Sequence, residues 1–186
     1  MAKDKLISMS PALVLRFRNG FIRPLNAQDV HQGYVDGLNN PFVNRYLEVR
    51  HTKQTLGNVA EFVELHEKSS NSFLFGIWIN ENINHIGTIR LHRINLDPGK
   101  CSIGICIFCQ SAWGKGIGSM AIREATNFGF NKLGLFSVEA HAYFENLASI
   151  RTFLKAGYRR QPDKVKNVAG KLITHAVLVA ESDQYS

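Results

Sequence analysis

Residues 113–118, Trp113-Gly114-Lys115-Gly116-Ile117-Gly118, constrain the fold more than any other stretch of the chain. They follow a β-like run and lead into a segment with helical spacing. Glycines at alternate positions remove the side chains that would keep a ligand away from the backbone. The first turn of a helix has unpaired N–H groups and a partial positive charge. A strand-to-helix turn of this composition is an anion site suited to a pyrophosphate, and Lys115 adds a full charge. It is not a nucleoside-triphosphate loop, because no Lys-Ser/Thr pair follows the last glycine. Nor is it the dinucleotide fingerprint, which needs G-x-G-x-x-G at the opening of a βαβ unit.

The elements around this turn follow from periodicity. Apolar runs at 13–17 and 21–23 flank Arg18-Asn19-Gly20, and Asn-Gly between such runs signals a hairpin. Asn26 or Asp29 suits the cap of a helix reaching Leu38, and Asn39-Asn40-Pro41 breaks it. Thr55 suits the cap of a second helix reaching Lys68, with Leu56, Val59, Phe62, Val63 and His66 at helical spacing. Strands at 73–79, 85–94 and 102–108, with turns at 80–82 and 97–99, read as an antiparallel meander. After the glycine-rich turn come a helix to about Leu133, a strand at 138–143, a helix at 146–156 and a last strand at 174–179. The segment between Arg159 and Lys171, with Pro162 and Gly170, reads as a polar loop. This order predicts an α+β fold: a mixed sheet of six or seven strands, flanked by about four helices, in one domain spanning residues 1–186.

Charge narrows the partners. Lys and Arg number 22 against 15 Asp and Glu, a net charge of +7. That balance favours an anionic partner, and nucleic acid, an acidic membrane surface and a polyphosphate ligand all qualify. The nearest to a basic cluster, Arg159, Arg160, Lys164, Lys166 and Lys171, reads as a solvated face rather than a nucleic-acid patch. No run of 18 apolar residues exists, so no membrane span is expected, and residues 1–10 lack the apolar core of a secretory signal. Three cysteines, Cys101, Cys106 and Cys109, two of them in a strand-like run, suit buried free thiols in a reduced, cytoplasmic setting. No metal-ligand spacing is present.

The chain resembles the GNAT superfamily of N-acetyltransferases over roughly residues 21–179. Trp113, Gly116 and Gly118 occupy positions one, four and six of that superfamily's Gln/Arg-x-x-Gly-x-Gly/Ala signature, with Trp113 in place of Gln or Arg. Asn146-Leu147-Ala148-Ser149 with Phe153, Lys155, Gly157 and Tyr158 resembles the Asn-x-x-Ser…Lys-x-Gly-Phe of the branch that acetylates ribosomal-protein N-termini. The resemblance implies acetyl-CoA as co-substrate, held where two strands splay apart. Backbone groups around Ile105, Ile107 and Phe108 would bond the pantetheine and thioester, and the N–H groups of Gly114, Lys115, Gly116, Ile117 and Gly118 the pyrophosphate. Asn146 and Ser149 would touch the sulfur side. Many members place a Tyr seven residues after the Asn to protonate the leaving thiolate. Phe153 stands there and has no proton to give, so Ser149 is the expected substitute and Tyr143 the next.

The acceptor would be a primary amine, which is protonated at neutral pH and must lose a proton before it attacks. Alternation puts Glu139, His141 and Tyr143 on one strand face, which makes Glu139 a candidate base. Glu48 and His92 are others, on the acceptor side. Each also suits a plain structural role, and Asn146 suits a helix cap. Arg45 and Arg50 would grip a phosphate or carboxylate bidentately, as in a nucleotide-linked amino sugar. The branch resemblance favours a protein N-terminus. A homodimer is compatible with this reading, as is a non-catalytic acyl-CoA-binding module. A basic nucleic-acid binder has only the net charge behind it.

Overall fold

The computed structural model describes residues 13–79, 84–168 and 171–185. The turn expected at 80–82, the segment 1–10 and Gly170 lie outside them. The expected hairpin forms from β1 (Leu15–Phe17) and β2 (Gly20–Pro24), with Asn19 at φ 67°, a left-handed value that Asn tolerates. Asn26 caps only a short 3-10 turn, Ala27–Asp29, because the Asp29 carboxylate turns back to the Asn26 N–H and to Arg23. The helix therefore starts later, as α1 (Gln32–Asn39), and α2 (Pro41–Asn44) follows at once. Thr55 caps α3 (Leu56–Lys68) as the spacing predicts, with Asn58 completing a reciprocal capping box.

The meander is β3 (Phe73–Ile79), β4 (Asn84–Asn95) and β5 (Lys100–Ile107). Then come α4 (Ile117–Leu133), β6 (Ser137–Tyr143), α5 (Leu147–Lys155), β7 (Arg159–Val168) and β8 (Lys171–Glu181). The eight strands form one sheet in the order β1-β2-β3-β4-β5-β6-β8-β7, antiparallel except at β5–β6. The eighth strand is β7, where the sequence reads as a polar loop. It is exposed along nearly its whole length at the sheet edge, so no apolar alternation marks it. Its register shifts between Gln161 and Lys164, which accommodates Pro162.

One core lies between the sheet and the pair α4 and α5, with Phe75, Ile89, Ile122, Phe128, Val138 and Leu178 fully or almost fully buried. The other lies beneath α1 and α3, built on Tyr34, Val59, Val63, Leu74, Trp78 and Phe108. Among the described residues no helix is long and apolar enough to cross a membrane.

Candidate active site

The site begins where the sheet comes apart. β5 and β6 pair in parallel only from Lys100 opposite Ser137 to Ile103 opposite Ala140. Beyond that, β5 stays bonded to β4 and β6 to β8, so residues 104–107 and 141–143 part from each other. The Ile107 carbonyl points away from β4 and accepts the Trp113 indole N–H at 2.9 Å. Ladder groups alternate sides along a strand, so the backbone of Ile105 also faces the gap. A cleft of about 600 Å³ opens there. Its lining includes Ile105, Cys106, Tyr143, Asn146, Ser149 and Phe153, together with Tyr46 and Glu48 from the segment before α3.

Past the end of β5, Gly114 and Gly116 take left-handed φ values of 75° and 77°, which favour glycine. A Cβ built on either would meet nothing within 4 Å, so both face open space. Gly116 caps α4 without any side chain, and the first N–H groups of that helix are left to an anionic ligand. Gly118 has a different reason to be small: a Cβ there would come within 3.1 Å of Thr152 on α5. The Ile117 side chain is in the core and Lys115 is exposed. Trp113 braces the turn against β5 through its indole, which also occupies the Ile107 carbonyl. The Phe108 N–H is likewise spent, on the Ile86 carbonyl, and its ring stacks on Tyr34. The Ile107 carbonyl keeps a second lone pair that a pantetheine could use, whereas the Phe108 N–H is directed to β4 and not into the gap.

On the other wall, Asn146 caps α5 by accepting the Ser149 N–H at 3.2 Å, and both residues line the cleft. Phe153 is buried against Tyr158. The Tyr143 hydroxyl donates to Glu48 at 2.9 Å and accepts from Arg50 at 3.1 Å. Arg50 is itself fixed on the Leu47 carbonyl. Two neighbours in one short turn, Glu48 and Arg50, thus meet a residue from the far end of β6 at the cleft. Glu139, His141 and Tyr143 do share a strand face, but Glu139 is not in the lining. It is ion-paired with Lys164 and in contact with the His141 ring, and these outweigh the effect of burial and hold its carboxyl below the usual range, which makes it a poor base. His92 also stands outside the lining. Burial, with Arg90 and Arg93 beside it, lowers it to about 4, so it is neutral at pH 7. Arg45 is exposed, lies over the Tyr46 ring and is absent from the lining as well. Sequence reasoning missed Arg90, which shares a face with His92 two residues away, and Lys166, which lies on the unrecognised β7. Both line the cleft. The one thiol in the lining, Cys106, is pushed up to about 12 by burial and carries no nucleophilic thiolate near neutrality.

A mixed sheet that parts beside a glycine-rich helix start with no side-chain cap offers a slot for an extended arm and an anion site at its end. The family model described as "Acetyltransferase (GNAT) domain" matches residues 21–159, and the chain belongs to that family. It is accordingly an N-acetyltransferase with acetyl-CoA as acyl donor. Among curated proteins it is similar to "Uncharacterized N-acetyltransferase p20" of Bacillus licheniformis, 34% identical over 104 residues. That match covers 53% of this chain and only 56% of the relative. The "Probable N-acetyltransferase YjcK" of Bacillus subtilis is 27% identical over 83% of this chain and 88% of its own length. A solved spermidine N-acetyltransferase from Vibrio cholerae, in complex with CoA and spermine, superposes with a TM-score of 0.76 at 18% identity. It covers 91% of this chain and 99% of its own. A putative ribosomal-protein-serine acetyltransferase from the same organism gives 0.74 at 16% identity, covering 93% and 99%. At such identities the structures speak for the fold alone.

Proposed function

We propose that this chain transfers the acetyl group by direct attack of a primary amine on the thioester, in the cleft between β5 and β6. The observation that carries this reading is the Glu48–Tyr143–Arg50 arrangement in the same cleft as the unpaired edge of β5. Among the described residues, Glu48 is the only carboxylate of the lining. It accepts the proton that the incoming ammonium must lose, and Tyr143 and Arg50 hold it in place. Tyr143 aims its hydrogen at Glu48, so it is poorly placed to protonate the leaving sulfur. That role falls to Ser149 at the start of α5. The Ile105 backbone holds the pantetheine arm beside the gap, and the N–H groups of 114–118 hold the pyrophosphate. A protonated Cys106 argues against an acetyl-cysteine intermediate and for a single transfer step.

The acceptor is a protein N-terminus or a small-molecule amine. The Asn146…Ser149 motif and one structural neighbour favour the former. The polar acceptor half of the cleft, with Tyr46, Glu48 and Tyr143, favours the latter. A panel of peptides, amino sugars, polyamines and simple amines, with CoA release as the readout, tests the proposal. Release with at least one amine, lost in Glu48→Gln, is expected. Binding of acetyl-CoA with no amine-dependent release would leave a non-catalytic module instead.

A further inference from the structure

We propose that Arg90 reads an anionic group on the acceptor, so that the favoured substrates are primary amines carrying a phosphate or carboxylate. The inference rests on the transferase reading above and names its substrate class. Arg90 is a half-buried guanidinium on β4 that lines the cleft. Its Nη1 meets His66 Nε2 at 3.1 Å, and His66 Nδ1 meets the Phe62 carbonyl at 2.7 Å. A carbonyl only accepts, so His66 Nδ1 bears the hydrogen and Nε2 is the lone-pair acceptor for Arg90. The guanidinium is therefore positioned by a neutral ring, and its carbon lies 5.9 Å from the centre of the Phe62 ring. Among the described residues no carboxylate pairs with it, and the charge that acts on it most directly is the like charge of Arg93. Half-buried charges are ordinarily paired. This one is positioned by His66, lines a cavity and has no counter-charge among the described residues.

The space in front of it is open. Arg90 is directly opposite Gly104 across the β4–β5 ladder, and opposed residues share a face. A Cβ on Gly104 would meet nothing within 4 Å. Ile105, whose backbone faces the thioester gap, is the next residue. An anionic group over Gly104 would thus lie beside Arg90 while the amine of the same molecule reaches the reacting centre. Lys166 lines the same cleft from β7, also without a carboxylate partner among the described residues, and adds a second positive charge to this side. Glu48, the sole acid of the lining among the described residues, is countered by Arg50 at 3.8 Å. A polyamine would bring further ammonium groups towards Arg90 and Lys166, and the cleft disfavours it.

The test compares matched acceptors: glucosamine with glucosamine 6-phosphate, butylamine with 4-aminobutyrate, and spermidine as the polycation. CoA release is measured for the parent enzyme, Arg90→Gln and Arg90→Lys. The anionic member of at least one pair is expected to lead by about tenfold or more in kcat/KM, and the pair that shows it distinguishes phosphate from carboxylate. Arg90→Gln removes that lead through KM, Arg90→Lys keeps part of it, and the KM for acetyl-CoA is unchanged in both. Equal rates within both pairs, spermidine as the best acceptor, or a lead that survives in Arg90→Gln would overturn the assignment and leave the transferase reading intact. If no amine on the panel is turned over, thermal midpoints of the acetyl-CoA-bound protein with added inorganic phosphate or acetate decide. Stabilisation in the parent that vanishes in Arg90→Gln supports the proposal, and its absence refutes it.

Discussion

Gly116→Val tests the anion site at the start of α4, and the same helix supplies its control. Gly116 has φ 77° and Gly134, at the other end, has φ 67°; a Cβ on either meets nothing within 4 Å. Valine at either position forces an L residue into the left-handed region, at about 1–3 kcal/mol each. The two variants should therefore lose similar amounts of stability in denaturant titrations. Only Gly116→Val puts a branched side chain over the unpaired N–H groups of the first turn. Losing one charge-assisted hydrogen bond to a phosphate costs about 1.5–3 kcal/mol, which weakens binding about 10- to 100-fold. Isothermal titration with acetyl-CoA should show that loss for Gly116→Val and parental affinity for Gly134→Val. Parental affinity in folded Gly116→Val, or equal losses in both, would refute the pyrophosphate site.

Tyr143→Phe removes the hydrogen bonds to Glu48 and Arg50 and should cut kcat about 10- to 100-fold while the KM for acetyl-CoA stays level; an unchanged kcat would take Tyr143 out of the chemistry. Ser149→Ala should lower turnover about tenfold to a thousandfold with little effect on acetyl-CoA affinity, and turnover at the parental rate with every accepted amine would rule out a role at the leaving sulfur. Cys106→Ser should keep most of the activity, since a thiol held near 12 is not the nucleophile, whereas loss of a pre-steady-state acetyl-enzyme in that variant would contradict direct transfer. His85 and His92 both fall from 6.5 to about 4 on folding, chiefly through burial. Between those values the unfolded chain takes up protons that the folded one refuses, so stability should fall as pH drops from 6.5 towards 4. Thermal midpoints should show this drop, and a smaller one in His85→Gln/His92→Gln.

Local signals carried most of the architecture. The Asn19-Gly20 hairpin, the Thr55 cap, the meander and the glycine-rich start of α4 all depend on contacts within a few residues, and each forms where the sequence places it. β7 was not legible, because an exposed edge strand has no apolar face to write a period-two pattern. The start of α1 was not legible either, because Arg23 and a local capping box compete for Asp29. In the site, Tyr143, Ser149 and Asn146 were legible from motif spacing, and Glu48 and Arg50 from their polar segment. The pairing of Tyr143 with Glu48 was not, since it joins residues 95 apart in the chain. His92 drew attention by residue type, while Arg90, two positions earlier on the same face, needed Gly104 opposite it before its setting had meaning.

The short seam between β5 and β6 makes the molecule two plates joined along a hinge. One plate is β1 to β5, the other β6 to β8, and the ladder ties them only from Lys100 to Ile103. The firmer brace is α4, whose buried Ala121, Ile122, Ala125 and Phe128 sit in the core shared with Ile22 and Ile89 on one plate and Val138 and Ala140 on the other. The aperture that admits the substrate is thus set by the girth of a helix that does not line it. Enlarging Ala121 or Ala125 would jack the plates apart, and trimming Ile122 or Phe128 would let them sag together. Substrate selectivity measured in such variants would then shift from a site behind the sheet.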